Sequence, residues 1–230
     1  MHAIPMSIAV PLNTLSAGLI LICAFAMVGT RQVRGVVRFY VVQSLLLAAS
    51  SFVLASAEHS IDLWALGAIA VGAKALANPW VLRKMLSRDL YARREIVQVI
   101  NVPASLLVAL LLAIAAELLI GPLAKASGDP VIAVNLPIGL ACVLIGAYSL
   151  ASRREAIPQL VGILAMENGA FFAGIGIAPD LPIIAELAIA IDVVLIVLIV
   201  GLLTRDIKRR MGITAAGTLR ELKEEPLSWR

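Results

Sequence analysis

Seven apolar runs, each about as long as a hydrocarbon layer is thick, leave this chain few ways to fold. They cover Ile8–Gly29, Phe39–Ala57, Asp62–Leu82, Ile96–Ile120, Val131–Ala151, Ile157–Ala178 and Leu181–Leu203. A helix rising about 1.5 Å per residue crosses some 30 Å in about 20 residues. Lipid offers no partner to backbone N–H and C=O groups, so such runs must satisfy them internally, as helices. Hydrophobic residues make up 61% of the chain and charged ones only 15%, which excludes an ordinary soluble domain. The expected fold is all-α, an integral membrane protein with seven transmembrane helices.

The basic residues fix the expected orientation. Arg31, Arg34 and Arg38 follow the first run; Arg83, Lys84, Arg88, Arg93 and Arg94 follow the third; Arg153 and Arg154 follow the fifth. The tail adds Arg205, Lys208, Arg209, Arg210, Arg220, Lys223 and Arg230, so 17 of the 19 basic residues fall on one side. Lys125 alone lies opposite, and Lys74 lies inside a run. The positive-inside rule puts the N-terminus outside and the C-terminus in the cytoplasm. It also accounts for the net charge of +4 without invoking nucleic acid. No basic residue precedes the first run, so that run reads as a span rather than a cleaved signal. The junctions are too short for a soluble catalytic domain. In the tail, Thr218 and Glu221 fit a capping box ahead of Leu222, and Pro226 ends the helix it would start.

Apart from Asp62 and Glu117 near run ends, three carboxylates and a lysine stand inside the runs. Each costs about 2.5 to 3.5 kcal/mol at mid-membrane unless paired, neutralised or wetted. Lys74 is near mid-depth of the third run, with Asn78 one turn on along the same face. Pro79 has no N–H to give the carbonyl of Ala75, so lysine, amide and carbonyl form a patch able to hold a proton, a water or an opposing carboxylate. Glu167 is near mid-depth of the sixth run. Gly162, Gly169 and Gly176 recur every seven residues on that helix, roughly opposite Glu167, and mark a face for close helix contact. Gly139, Cys142, Gly146 and Ser149 of the fifth run offer a matching stripe. Glu186 and Asp192 lie on the seventh run about 120° apart, with Asp192 the deeper. Groups poised between burial and a nearby opposite charge can change protonation, as a proton relay requires. A purely structural ion pair is the alternative for each. Glu117, Asn101, Asn135 and His59 fall near run ends or in loops, where polar groups call for no special role.

Several chemistries lack their residues. No histidine lies inside a run, Cys23 and Cys142 lie alone in apolar helices as packing residues, and no nucleophile set, HExxH pair or P-loop is present. Neither a disulfide framework nor a metal centre is expected in this chain.

The stretch Gly162-Ile-Leu-Ala-Met-Glu-Asn-Gly-Ala-Phe-Phe-Ala-Gly174, followed by Ala185-Glu-Leu-Ala-Ile-Ala-Ile-Asp192, resembles the hydrogenase-4 component E family. That family is similar, over its last three spans, to the NuoK-type subunit of respiratory complex I and the C-type subunit of multisubunit cation/proton antiporters. The resemblance implies residues 1–130 as a four-helix membrane part, 131–204 as a three-helix NuoK-like unit and 205–230 as a cytoplasmic tail. It further implies a non-catalytic, multi-pass subunit of a group 4 hydrogenase or related complex in a prokaryotic inner membrane. Antiporter-like membrane subunits would be its partners, and nickel–iron and iron–sulfur centres would reside in other chains. Glu167 matches the family's glutamate in the second helix of the NuoK-like unit. For the other membrane acid, residue type favours Glu186 and depth favours Asp192.

The expected function is therefore a contribution of Lys74, Glu167, Glu186 and Asp192, supported by Asn78, to proton or sodium translocation. A stand-alone cation/proton transporter, with helices interrupted at Pro79, Pro103 and Pro137, is the second reading. A structural scaffold is the third.

Overall fold

The computed structural model describes residues 4–85 and 100–177. Among them every regular element is helical, and six segments are long and apolar enough to cross a membrane. They are α1 (Met6–Gly29), α2 (Val33–Glu58), a third crossing, α5 (Val102–Ala126), α6 (Pro130–Ser152) and α7 (Ala156–Ile177). The third crossing is composite: α3 (Ile61–Ile69) runs into a π-helical segment, Ala70–Ala77, and then into α4 (Asn78–Met85). The chain is a multi-pass membrane protein. The seventh run, and with it Glu186, Asp192 and the tail, lies outside the described residues.

The helix boundaries follow from local chemistry. His59 takes a left-handed conformation (φ 55°) and stops α2, after which the Ser60 hydroxyl accepts from the Leu63 amide and starts α3. Asp129 accepts from the amides of Val131 (2.7 Å) and Ile132 (3.3 Å), and Pro130 takes the first position of α6, where no N–H is needed. Gly128 precedes this cap at φ 75°, the one described glycine with a positive φ.

The fourth crossing corrects the boundaries expected from hydropathy. It begins at Val102, not Ile96, because the Asn101 side chain caps it by accepting from the Ala104 amide and Pro103 sits in its first turn. It continues beyond Ile120 through Gly121 and Pro122 to Ala126. α2 likewise extends past the expected run at both ends, so Arg34 and Arg38 sit on its first two turns rather than in a loop. Apolarity marks the hydrocarbon layer, whereas backbone hydrogen bonding carries the helix into the interface.

Nor do the prolines interrupt crossings as expected. Pro103 is terminal, and Pro11 and Pro137 lie inside unbroken α-helices. Among the described residues only Pro79 coincides with a departure, following the π segment by two residues.

α6 and α7 pack through the paired glycine stripes, as their spacing predicted. A Cβ placed on Gly139 would stand 2.6 Å from the Gly169 carbonyl, and one on Gly162 3.2 Å from the Gly146 carbonyl. Such approach lets two backbones make dispersion contact, which drives helix association where lipid removes the hydrophobic term. α1 packs against α2 and α6, and α2 against α7, α3 and the π segment. α5 lies outermost on α6 and α1, with Leu107, Leu111, Leu118, Leu119 and Leu123 exposed.

Arg153, at the α6–α7 junction, is buried and donates to the Met27 carbonyl at the end of α1. This places the α1–α2 and α6–α7 junctions, with Arg31, Arg154 and the first turn of α2, at one end of the bundle.

Candidate ion-pair site inside the bundle

α2 is the platform of the site. Tyr40, Gln43, Ser44, Leu47, Ser51 and Leu54 recur at intervals of three and four, forming one face, and all are buried. The Ser44 hydroxyl is held by the Tyr40 carbonyl (3.0 Å), a bond available because the helix leaves that oxygen's second lone pair free.

Two clamps rise from this face. Tyr40 Oη accepts from Asn78 Nδ2 at 3.1 Å, fixing α4 just beyond the π segment. Asn168 Nδ2 donates to Ser44 Oγ at 2.9 Å and to Gln43 Oε1 at 3.4 Å, fixing α7. The residues adjoining these amides are thereby brought together: Lys74 Nζ lies 2.8 Å from Glu167 Oε1. Lys74 is fully buried and Glu167 8% exposed.

The π segment contributes to this meeting. Pro79 removes one amide from the ladder, and the Asn78 N–H bonds the Ala73 carbonyl five residues back. The wider turn changes the angular relation between α3 and α4, so Lys74 and Asn78 both point at α2 and α7. One turn along α7 from Glu167, the Phe171 ring lies beneath the ammonium, its centroid 4.2 Å from Nζ. The ammonium thus meets a carboxylate and an aromatic face supplied by one helix.

Of the residues the sequence singled out, Lys74, Asn78 and Glu167 converge here; Glu186 and Asp192 lie outside the described residues. Glu117 is exposed and pairs with Lys125 at 2.8 Å. Asn135 is a correction: it is fully buried, and its Oδ1 accepts from Asn13 Nδ2 at 2.7 Å, while Asn13 Oδ1 accepts from Ser50 Oγ at 2.6 Å. Nearness to a run end concealed it, because the inner face of α6 is covered there by α1. Arg153 carries more than topology. Burial pushes its guanidinium down to about 10, against the opposing pull of Glu155 and Tyr148, so it remains charged at neutral pH. Gln43, Ser44 and Asn168 carried no signal alone, although the α2 spacing of polar residues was available to find the face.

Cys23 and Cys142 are buried and unbridged, and no cluster of three or more potential metal ligands occurs among the described residues.

No protein-family model matches the chain, and no solved structure matches it. Curated proteins align over most of its length, among them the following two. The uncharacterized protein Rv0085 of Mycobacterium tuberculosis is 28% identical over 210 residues, covering 91% of this chain and 94% of that protein. Hydrogenase-4 component E of Escherichia coli K12 is 28% identical over 219 residues, covering 90% of this chain and 95% of its own. The buried pair and the row of apolar crossings thus belong to a distant relative of hydrogenase-4 component E.

Proposed function

We propose that this chain is a non-catalytic membrane subunit of a group 4 hydrogenase or complex-I-like assembly. In it, Lys74 and Glu167, together with Glu186 and Asp192 of a seventh crossing, contribute to moving protons or sodium ions across the membrane, driven by redox chemistry in partner subunits. The observation that carries this reading is the buried Lys74–Glu167 pair. An ion pair is an expensive way to join two helices, since an apolar replacement is often as stable or more so. A proton path, by contrast, requires ionisable groups at mid-depth. The likeness to a hydrogenase-4 component supports membership in a multisubunit hydrogenase complex, and antiporter-like membrane subunits, with the metal centres in other chains, are the partners proposed.

The basic ends support an inner-membrane orientation with the α1–α2 and α6–α7 junctions in the cytoplasm and the N-terminus outside. Residues 131–204 would form the NuoK-like unit and 205–230 a cytoplasmic tail.

The test is Glu167→Gln in the native complex. The amide keeps the shape and a hydrogen-bonding oxygen but exchanges no proton. Co-purification of the partner subunits should persist while redox-driven proton uptake by membrane vesicles falls by at least tenfold, since each 1.4 kcal/mol on a transfer barrier is tenfold. Full coupling would refute the relay role, and loss of co-purification would favour a scaffold.

A further inference from the structure

We infer that Phe171 is a second seat for the Lys74 ammonium, keeping that lysine charged when Glu167 takes up a proton. The inference rests on the proposed relay and says which member of the pair carries the proton. Glu167 and Phe171 are four residues apart on α7, hence stacked on one face, and Lys74 Nζ lies 2.8 Å from the carboxylate and 4.2 Å from the ring centroid.

The two neighbours differ in one decisive respect. A carboxylate attracts the ammonium and can also accept its proton. The π face attracts it through the ring quadrupole and offers no site for that proton. Both Phe171 and Lys74 are buried, so water does not screen the attraction.

In the step this geometry supports, a proton reaches the Glu167 carboxylate and forms the neutral acid. The ammonium retains all three of its N–H bonds, and the ring continues to attract it. When Glu167 releases the proton onward, the ion pair re-forms. The backbone needs no rearrangement. α7 is fixed to α6 through its glycines, and α4 is fixed to α2 through Asn78 and Tyr40. Lys74 is thus a standing charge that positions Glu167, and Phe171 is a positioning residue acting through it.

Fluorinated phenylalanines test this without altering the packing, because each fluorine weakens the π face while barely changing ring size. Mono-, di- and trifluorophenylalanine are placed at position 171 of the complete complex. Redox-driven proton uptake is then measured in vesicles, with co-purification of the other subunits as the check on assembly. Uptake should fall stepwise along the series, to the order of tenfold at the third fluorine. Phe171→Trp should sustain uptake and Phe171→Leu should lower it. Equal rates along the series, beside an inactive Glu167→Gln control, would overturn the role of the ring alone. A fully active Glu167→Gln control would overturn the relay and this inference with it.

Discussion

At the residue scale, the pair of Lys74 and Glu167 separates what holds the bundle together from what makes it work. Removing one partner leaves the other charge buried, at a cost of about 3–5 kcal/mol. Lys74→Met should therefore lower the thermal midpoint of the purified protein, or its yield, more than any exposed substitution on α5. The double variant Lys74→Met/Glu167→Met leaves neither charge and should regain most of that stability, yet carry no coupled proton flux. Thermal unfolding in detergent, set beside vesicle proton uptake, distinguishes the two. A double variant no more stable than the single one would mean the charges themselves hold the fold. The sequence disclosed this pair only in halves. Two mid-depth groups on separate runs were visible, but nothing local stated that the third and sixth crossings meet through them. That information lies in Asn78, which the sequence did single out, and in Tyr40, Gln43, Ser44 and Asn168, amides and hydroxyls that are individually cheap in a membrane helix and draw no attention.

At the element scale, legibility divides by the range of the interaction. The α6–α7 contact was readable because glycines at seven-residue spacing encode close approach along a single helix. Substituting Gly139→Val tests it directly. A side chain there would meet the Gly169 carbonyl and Ala173, forcing the helices apart at a cost of about 1–3 kcal/mol. A drop in the thermal midpoint and in recovery of assembled complex is expected, and Gly174→Val, where a Cβ meets nothing within 4 Å, should be far milder. Helix ends were less readable than helix centres, and the start of α5 at Asn101 shows why. Apolar residues before the cap extend the hydropathic run, although the Asn-Val-Pro triplet is itself a start signal. The π segment was not legible at all. Pro79 announced a missing donor, but whether a helix kinks, ends or widens there depends on what its neighbours ask of Lys74 and Asn78.

At the scale of the whole molecule, the basic junctions carry the proposed orientation. The positive-inside rule would put the more basic face in the cytoplasm, and labelling tests this. Both native cysteines are buried, so engineered ones give a clean readout. In intact cells, Ser127→Cys in the α5–α6 turn should react with a membrane-impermeant maleimide. Arg154→Cys should react only after the membrane is opened, and the reverse pattern would invert the proposed orientation. The charge asymmetry is spread over several junctions, so the sequence yields an expected orientation where it yields no pairing of helices.

The same long-range pairing sets a timetable for synthesis. Lys74 leaves the ribosome 93 residues before Glu167 exists. At about 5–20 residues per second, it waits roughly 5–20 s for its counter-ion. The Met27 carbonyl waits still longer for a guanidinium 126 positions downstream. Through that interval Glu167 is not yet there to face the lysine, and the apolar residues of the third crossing have to offset a cost of about 2.5–3.5 kcal/mol for it to insert.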